Sequence, residues 1–232
     1  MKSQIISGCK YAVITSCSYL WLGVENIIRQ QGGLPVRMTA ASVLRYESMS
    51  INGDKQRPIQ LCVFLTGDLC NRLETLKFLI LNIKCLPAGC YVTLFSHLPP
   101  AWLYVMLSAL VQNTEVLKKI RYCHQRPTPE SLLNKPFPLL EEVICAEELA
   151  EIPSGAGLST PELDAVLNYY QGKTVNVLSR SSGVAEKTIY AHRKSGIKKL
   201  SAMQQWLNDK VLLRKTRRSG EGGLLAQCAQ LL

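Results

Sequence analysis

Residues 158–200 read LSTPELDAVLNYYQGKTVNVLSRSSGVAEKTIYAHRKSGIKKL, and this stretch decides the architecture of the second half of the chain. Its apolar residues recur every three or four positions, which predicts helices rather than strands. Gly172 and Gly183 interrupt the pattern where tight turns are expected, because glycine adopts a positive φ without a steric penalty. We therefore predict helices over Thr160–Tyr170, Thr174–Ser181, Ala185–Leu200 and, further along, Ala202–Leu213.

Local signals at the helix ends support this division. Ser159 or Thr160 can cap the first helix, and Pro161 suits its first turn. Thr174 can cap the second helix, which ends at the turn formed by Ser182 and Gly183. A short helix, a turn that contains glycine and a longer basic helix together predict a helix-turn-helix.

The third predicted helix has two different faces. Ile189, Gly196, Ile197 and Leu200 form its apolar side. Long basic and polar residues occupy the other side, where a helix lying in the DNA major groove would meet base edges and phosphates. The candidate DNA contacts are Lys187, Thr188, Tyr190, Ala191, Arg193, Lys194, Lys198 and Lys199. Among them, Arg193, Lys198 and Lys199 are placed best for phosphates.

These residues resemble the LuxR/FixJ-type helix-turn-helix family. The family pattern is a Leu-(Ser/Thr)-x-x-Glu start, a Gly that closes the first helix, and then Glu-Lys-Thr-Val-x-x-His-x-x-x-Ile-x-x-Lys-Leu. The match runs without a gap over residues 158–200, about a fifth of the chain. It departs from the pattern at Gly196, where Ile or Leu is usual, at Tyr190, where Lys is common, and at Ser179, where Ala is usual.

The resemblance implies DNA binding as a dimer through the fourth helix. The candidate dimer contacts on that helix are Trp206, Leu207, Val211 and Leu212. Gly196 should cost the third helix roughly 1 kcal/mol of stability, as glycine does in a helix interior.

Positive charge is concentrated in the helical stretch. The chain has 27 Lys or Arg against 17 Asp or Glu, a net charge of +10, and residues 158–218 alone hold 12 basic and 4 acidic side chains. Such a balance favours a polyanionic partner, and double-stranded DNA fits the helix-turn-helix. Residues 1–150 are predicted to form a regulatory domain, 151–157 a linker, 158–213 the DNA-binding domain and 214–232 a mobile basic tail.

The first half alternates short apolar runs with amphipathic ones. Strands are predicted at Tyr11–Ile14, Ile59–Leu65 and Cys90–Phe95. Helices are predicted at Tyr19–Gln30, Leu69–Ile83 and Pro99–Val111. This alternation is typical of an α/β domain with a parallel sheet and flanking helices.

The alternation resembles a receiver domain that lacks its phosphorylation chemistry. A receiver needs two acids after its first strand, but Ser16 and Cys17 stand there. Asp68 lies two to three residues past the expected phosphate acceptor, whereas Ser96 falls where a hydroxyl is expected. Asn134–Phe137 resembles the closing Lys-Pro-Phe element. The chain is thus similar to auxiliary regulators of the Rcs capsule system, which pair with a response regulator, and a plain structural scaffold is the alternative.

Other classes of function have little support in the sequence. The nine cysteines include no Cys-x-x-Cys pair, and the three histidines are isolated, so we expect no metal, no cofactor and no catalytic residues. No apolar run reaches ~20 residues and no signal peptide is evident, so we expect a cytoplasmic protein without membrane contact.

Two functions remain in view. The first is a sequence-specific bacterial transcription regulator that binds DNA as a homodimer, with RNA polymerase as a further candidate partner. The second is an auxiliary protein-interaction module that acts mainly as a heterodimer with a response regulator.

Overall fold

A computed structural model describes residues 10–38, 59–83, 91–111, 114–124, 128, 132 and 137–219. The chain divides into two compact units, Met1–Cys145 and Ala146–Leu232. The division falls a few residues before the predicted linker at 151–157.

The first unit is an α/β unit, which confirms the predicted fold class. Its described elements, in chain order, are β1 (Lys10–Ile14), α1 (Ser18–Gln30), β2 (Leu34–Met38), β3 (Ile59–Phe64), α2 (Leu69–Ile83), β4 (Tyr91–Phe95), α3 (Pro100–Leu110), a 3₁₀ helix (Thr114–Lys119), β5 (Ile120–Cys123) and a second 3₁₀ helix (Leu140–Val143).

The five strands pair in parallel in the order β2-β1-β3-β4-β5. Ile14 at the end of β1 lies between Met38 of β2 and Val63 of β3. This is the order of flavodoxin-like sheets, in which the chain reverses its direction of winding between β1 and β3. Ligands of such folds bind at the carboxyl edge of the sheet at this point.

The core lies on both sides of the central strands. Val13 and Cys62 pack with Val24 and Ile28 of α1 on one face. Residues of the opposite face, such as Leu61, are equally buried. Strands that are covered on both faces read as continuous apolar runs, which is why β1, β3 and β4 could be predicted.

The second unit contains only helices among its described residues. They are α4 (Ala146–Glu151), α5 (Thr160–Tyr170), α6 (Val175–Ser182) and α7 (Glu186–Ser219). The first two helices of the predicted helix-turn-helix have nearly the predicted bounds, and the third begins within one residue of its predicted start but extends well beyond its predicted end.

The predicted fourth helix, Ala202–Leu213, is not a separate element. It continues the third helix in α7, a 34-residue helix about 51 Å long at 1.5 Å per residue. No proline or glycine occurs between Ile197 and Ser219, so nothing in that segment breaks the backbone pattern. The helix also takes in residues 214–219 of the predicted tail, and residues 220–232 lie outside the described part.

The predicted linker is ordered against the second unit. Glu151 ends α4, Gly155 takes a left-handed φ of 71°, and Ile152 and Ala156 are buried. Ile152 and Ala156 thus belong to a packed structure, while Glu151, Pro153 and Ser154 are exposed.

Candidate nucleic-acid interface

The start of α5 is fixed by a capping box. The Glu162 carboxylate accepts hydrogen bonds from the Ser159 backbone N–H at 2.8 Å and from the Ser159 hydroxyl at 3.0 Å. The predicted cap at Ser159 is confirmed, and it occupies the Ser-x-x-Glu spacing that defines this motif.

The same carboxylate joins α5 to α7. Glu162 accepts a hydrogen bond from the Ser195 hydroxyl at 2.6 Å and forms an ion pair with Lys199 at 2.7 Å. Lys199 also donates to the Gly157 carbonyl at 3.1 Å. Burial by itself would raise the pKa of the Glu162 carboxyl, but the hydrogen bonds from Lys199, Ser195 and Ser159 outweigh it and lower the pKa to about 2.

Gly196 lies at a close approach of α7 to α5. A Cβ atom at this position would stand 2.6 Å from Val166 Cγ2 and 3.2 Å from the Glu162 carbonyl oxygen. The expectation that Gly196 simply weakens the helix is therefore incomplete, because a side chain here would push the two helices apart.

The turns on either side of α6 follow the predicted pattern. Gly172 and Gly183 have φ values of 73° and 71°, in the left-handed region that side chains disfavour. The Thr174 hydroxyl accepts a hydrogen bond from the Val177 backbone N–H at 3.5 Å, so it caps α6 at the start. These devices fix the direction in which α7 leaves the turn.

The first turns of α7 present a polar face to solvent. Six of the candidate DNA contacts are exposed there: Lys187, Thr188, Tyr190, Ala191, Lys194 and Lys198. Ile189, Gly196 and Leu200 are buried on the other side. The predicted two-faced helix is confirmed, and the exposed face is free of ion pairs among the described residues.

Arg193 and Lys199 differ from the role predicted for them at phosphates. Lys199 is engaged by Glu162, so we reassign it to the packing of α7 on α5. The Arg193 guanidinium lies 4.8 Å from the centre of the Tyr169 ring and 5.6 Å from that of Tyr190. No local signal could have shown Glu162 or Tyr169 as partners, since α5 supplies both, whereas Tyr190 lies three residues before Arg193 on α7 itself.

The candidate dimer residues are not all available at the surface. Trp206 is only 8% exposed in the single chain, and Leu207 is half-buried. The side chains of Val211 and Leu212 lie outside the described part. Trp206 was predicted to face a second copy, and its burial instead places it in the core of the monomer.

The carboxyl edge of the sheet carries no acidic pair at the positions after β1. Ser16 and Cys17 stand there, and the buried Thr15 hydroxyl accepts a hydrogen bond from the Cys17 backbone N–H at 3.1 Å. Asp68 accepts a hydrogen bond from the Asn71 backbone N–H at 2.8 Å, so its carboxylate caps α2.

The other receiver-like positions are only partly matched. Ser96 follows β4 as predicted and is buried, with its hydroxyl accepting from the Leu98 backbone N–H at 3.0 Å. The predicted closing element does not follow the fifth strand directly, because β5 ends at Cys123. Asn134, Lys135 and Pro136 of that element lie outside the described residues.

Within the described ranges, no three His, Cys, Asp or Glu residues come together as a metal site. No helix there is long and apolar enough to cross a membrane.

No protein-family profile matches the sequence, and no curated protein matches it. Solved structures with a similar fold include the two-component response regulator RcsB in complex with DNA, at 17% identity, with 83% of this chain and 92% of that chain covered and a TM-score of 0.46. Full-length FixJ from B. japonicum is 12% identical, with 86% and 96% covered and a TM-score of 0.39. At these values the likeness carries no functional argument, and the function of this chain has to be inferred from its own residues.

Proposed function

We propose that this protein is a sequence-specific DNA-binding transcription regulator of the LuxR/FixJ helix-turn-helix type. The observation that carries the proposal is the exposed polar start of α7, held by a packed opposite face and preceded by a glycine turn. A helix with this arrangement fits the major groove, and its first residues reach base edges.

The side chains on this face suit DNA chemically. Lys187 and Lys194 can donate to guanine acceptors, and Ala191 is small enough to contact a thymine methyl. Lys198, one turn further along, suits a phosphate. The surrounding positive charge supplies the salt-dependent attraction that brings such proteins to DNA.

The proposed regulator works without aspartyl phosphate. Transfer of a phosphoryl group to aspartate needs a metal that neutralises charge on the phosphoryl oxygens. Ser16 and Cys17 offer no carboxylate for that metal, and Asp68 is engaged at the start of α2. Control then comes through the abundance of the protein, a bound ligand or a partner, and the proposed role includes no enzymatic step and is exercised in the cytoplasm.

A second candidate is a partner-dependent auxiliary regulator. The burial of Trp206 favours it, since one of the four predicted homodimer contacts along α7 is not at the surface. In this role the first unit would bind a response regulator, and the helix-turn-helix would bind DNA selectively only as part of that heterodimer.

Selection from a random pool of double-stranded DNA tests both candidates. The full chain is incubated with the pool, bound DNA is sequenced, and affinities for the enriched and scrambled sequences are compared at one salt concentration. We expect the enriched sequence to bind about 10³-fold or more tightly than the scrambled one. Selectivity that appears only after a response regulator is added would favour the auxiliary role. Equal binding of all sequences in both arms would contradict both candidates.

A further inference from the structure

Arg193 sits between two tyrosine rings on the helix-turn-helix. Its guanidinium carbon is 4.8 Å from the ring centre of Tyr169 on α5 and 5.6 Å from that of Tyr190 on α7. Both distances are within the range of cation–π contact. Nε and Nη2 of Arg193 are buried and have no hydrogen-bond partner among the described residues, as expected when aromatic rings cover them.

The two rings remain partly open to solvent. Tyr169 is 49% exposed and Tyr190 is 56% exposed. The cluster therefore lies at the surface, with the guanidinium covered and the outer parts of the rings accessible. Tyr190 lies between Lys187 and Lys194 in sequence, on the face that we propose for the major groove.

We propose that Arg193 and Tyr169 are positioning residues that hold Tyr190, and that Tyr190 thereby sets the base preference at one position of the DNA site. This inference rests on the proposed function and names the residue that reads the sequence. A tyrosine can contact a thymine methyl with its ring and can donate or accept a hydrogen bond through its hydroxyl.

The reason for a positioning role is conformational. Lys187 and Lys194 are flexible and must be ordered on binding, whereas a tyrosine has only two side-chain torsions to fix. Contact with the Arg193 guanidinium, 5.6 Å from its ring centre, restricts the side chain of Tyr190 before DNA arrives. Specific contacts need such a fixed geometry, while phosphate contacts tolerate movement.

The alternative role for Arg193 is the phosphate contact expected from the sequence. The two roles have different signatures. A phosphate contact contributes to the salt dependence of binding and affects all sequences alike. A positioning residue changes the preference for particular bases and leaves the salt dependence unchanged.

The test compares Tyr169→Ala, Tyr190→Ala, Arg193→Ala and the conservative variant Tyr169→Phe in the full chain. Tyr19→Ala is the control, since it removes an exposed tyrosine of the first unit, whereas the Tyr170 ring lies 5.8 Å from the Tyr169 ring and belongs to the same cluster. Each protein is measured on the selected site and on its single-base variants, at several salt concentrations. The Arg193 Nε–H resonance is measured without DNA.

We expect Tyr169→Ala, Arg193→Ala and Tyr190→Ala to relax preference at the same base pair, from roughly tenfold to less than threefold. Tyr169→Phe should retain the preference, and Tyr19→Ala should leave it unchanged. The Nε–H resonance should lie upfield because of the ring currents and move back in Tyr169→Ala.

A lower salt slope with unchanged base preference in Arg193→Ala would overturn the proposal in favour of a phosphate contact. An unshifted Nε–H resonance in the unaltered chain would contradict the contact of the Arg193 guanidinium with the tyrosine rings. The resonance could be shifted while the unaltered chain prefers no DNA sequence. That outcome would contradict the proposed function, and the role of Tyr190 in reading the sequence would fall with it.

Discussion

The Glu162 carboxylate and the Lys199 ammonium lie 2.7 Å apart and join the first turn of α5 to the middle of α7. The sequence places Lys199 among the candidate DNA contacts because of the basic residues around it. In the structure, its ammonium instead binds Glu162 inside the domain. The pair, together with Ser195, sets the rotation of α7 about its axis and so decides which residues face outward.

Replacement of Glu162 by glutamine should lower the free energy of unfolding of the chain by about 2–4 kcal/mol. It leaves the half-buried Lys199 ammonium without its carboxylate, which is costly for a charge that has lost its partner. Urea unfolding followed by far-ultraviolet circular dichroism measures the change. Glu186→Gln is the matched control, since Glu186 is exposed at the start of α7 and should change stability by less than about 0.5 kcal/mol. Equal effects of the two substitutions would contradict the structural role of the pair.

The lowered pKa of Glu162 predicts that part of the free energy of unfolding is lost at acidic pH. The pKa of Glu162 is about 2 in the folded chain, below its ordinary value of 4.5. The ionised Glu162 carboxylate therefore adds on the order of 3 kcal/mol to the free energy of unfolding above about pH 4.5. This contribution is lost as the pH falls towards 2. The difference in stability between the unaltered chain and Glu162→Gln should narrow over that interval. A difference that stays constant from about pH 6 to about pH 2.5 would contradict the lowered pKa.

Gly196→Ala should destabilise the protein by about 1–3 kcal/mol, although alanine favours helices. The added Cβ would meet Val166 Cγ2 at 2.6 Å. Addition of Val166→Ala to this variant should cost less than it costs in the unaltered chain, because the smaller side chain makes room. Ser201→Ala, at an exposed position of the same helix, serves as the control and should be neutral or slightly stabilising. Stabilisation by Gly196→Ala would show that α5 and α7 are not in close contact there.

Lys194→Ala and Lys198→Ala should weaken DNA binding in different ways. The first should cost roughly 1–3 kcal/mol on the selected site and relax its sequence preference. The second should weaken all sequences alike and reduce the salt slope by about one. Lys173→Ala, which removes an equal charge outside α7, is the control, and anisotropy titrations at several salt concentrations measure all three. Normal binding by both variants would contradict the assignment of this face to the groove.

Incubation of the protein with Mg²⁺ and acetyl phosphate should give no phosphoryl adduct. Asp68 caps α2, and no carboxylate stands at Ser16 or Cys17 to bind the metal. Intact-mass measurement tests this result, with an ordinary receiver protein as the positive control. A stable adduct that disappears in Asp68→Asn would show that the first unit is an active receiver.

The parts of the fold that were predicted are those with local signals. The caps at Ser159 and Thr174 and the turns at Gly172 and Gly183 depend on neighbours in sequence. The two strands that were missed, β2 and β5, are edge strands in which partly buried side chains interrupt the apolar run: they alternate with exposed ones through most of β2 and with buried ones in β5. Pro35 in β2 and Arg121 in β5 weaken the strand pattern in the sequence further. Edge strands tolerate such residues, whereas central strands do not.

The parts of the candidate site that were not predicted depend on how helices pack. The pairing of Glu162 with Lys199 spans 37 residues of sequence, and the contact of Tyr169 with Arg193 likewise joins α5 to α7. The continuity of α7 was missed for another reason. Ser201 is a weak helix former and suggested a break. Unlike glycine, however, it does not favour left-handed φ values, and unlike proline it has a backbone N–H, so it does not end the helix.

Because α7 does not break at Ser201, the chain has no hinge between the residues proposed to read DNA and the far end of that helix. A rotation imposed on the far end would therefore also turn Lys187 and Tyr190. Successive residues of a helix are about 100° apart around its axis, so a partner that shifted its hold on the far end by one residue would turn the helix-turn-helix, with its reading face, by that angle relative to itself. A partner that held this helix would therefore set the orientation of the reading face on DNA without touching a base.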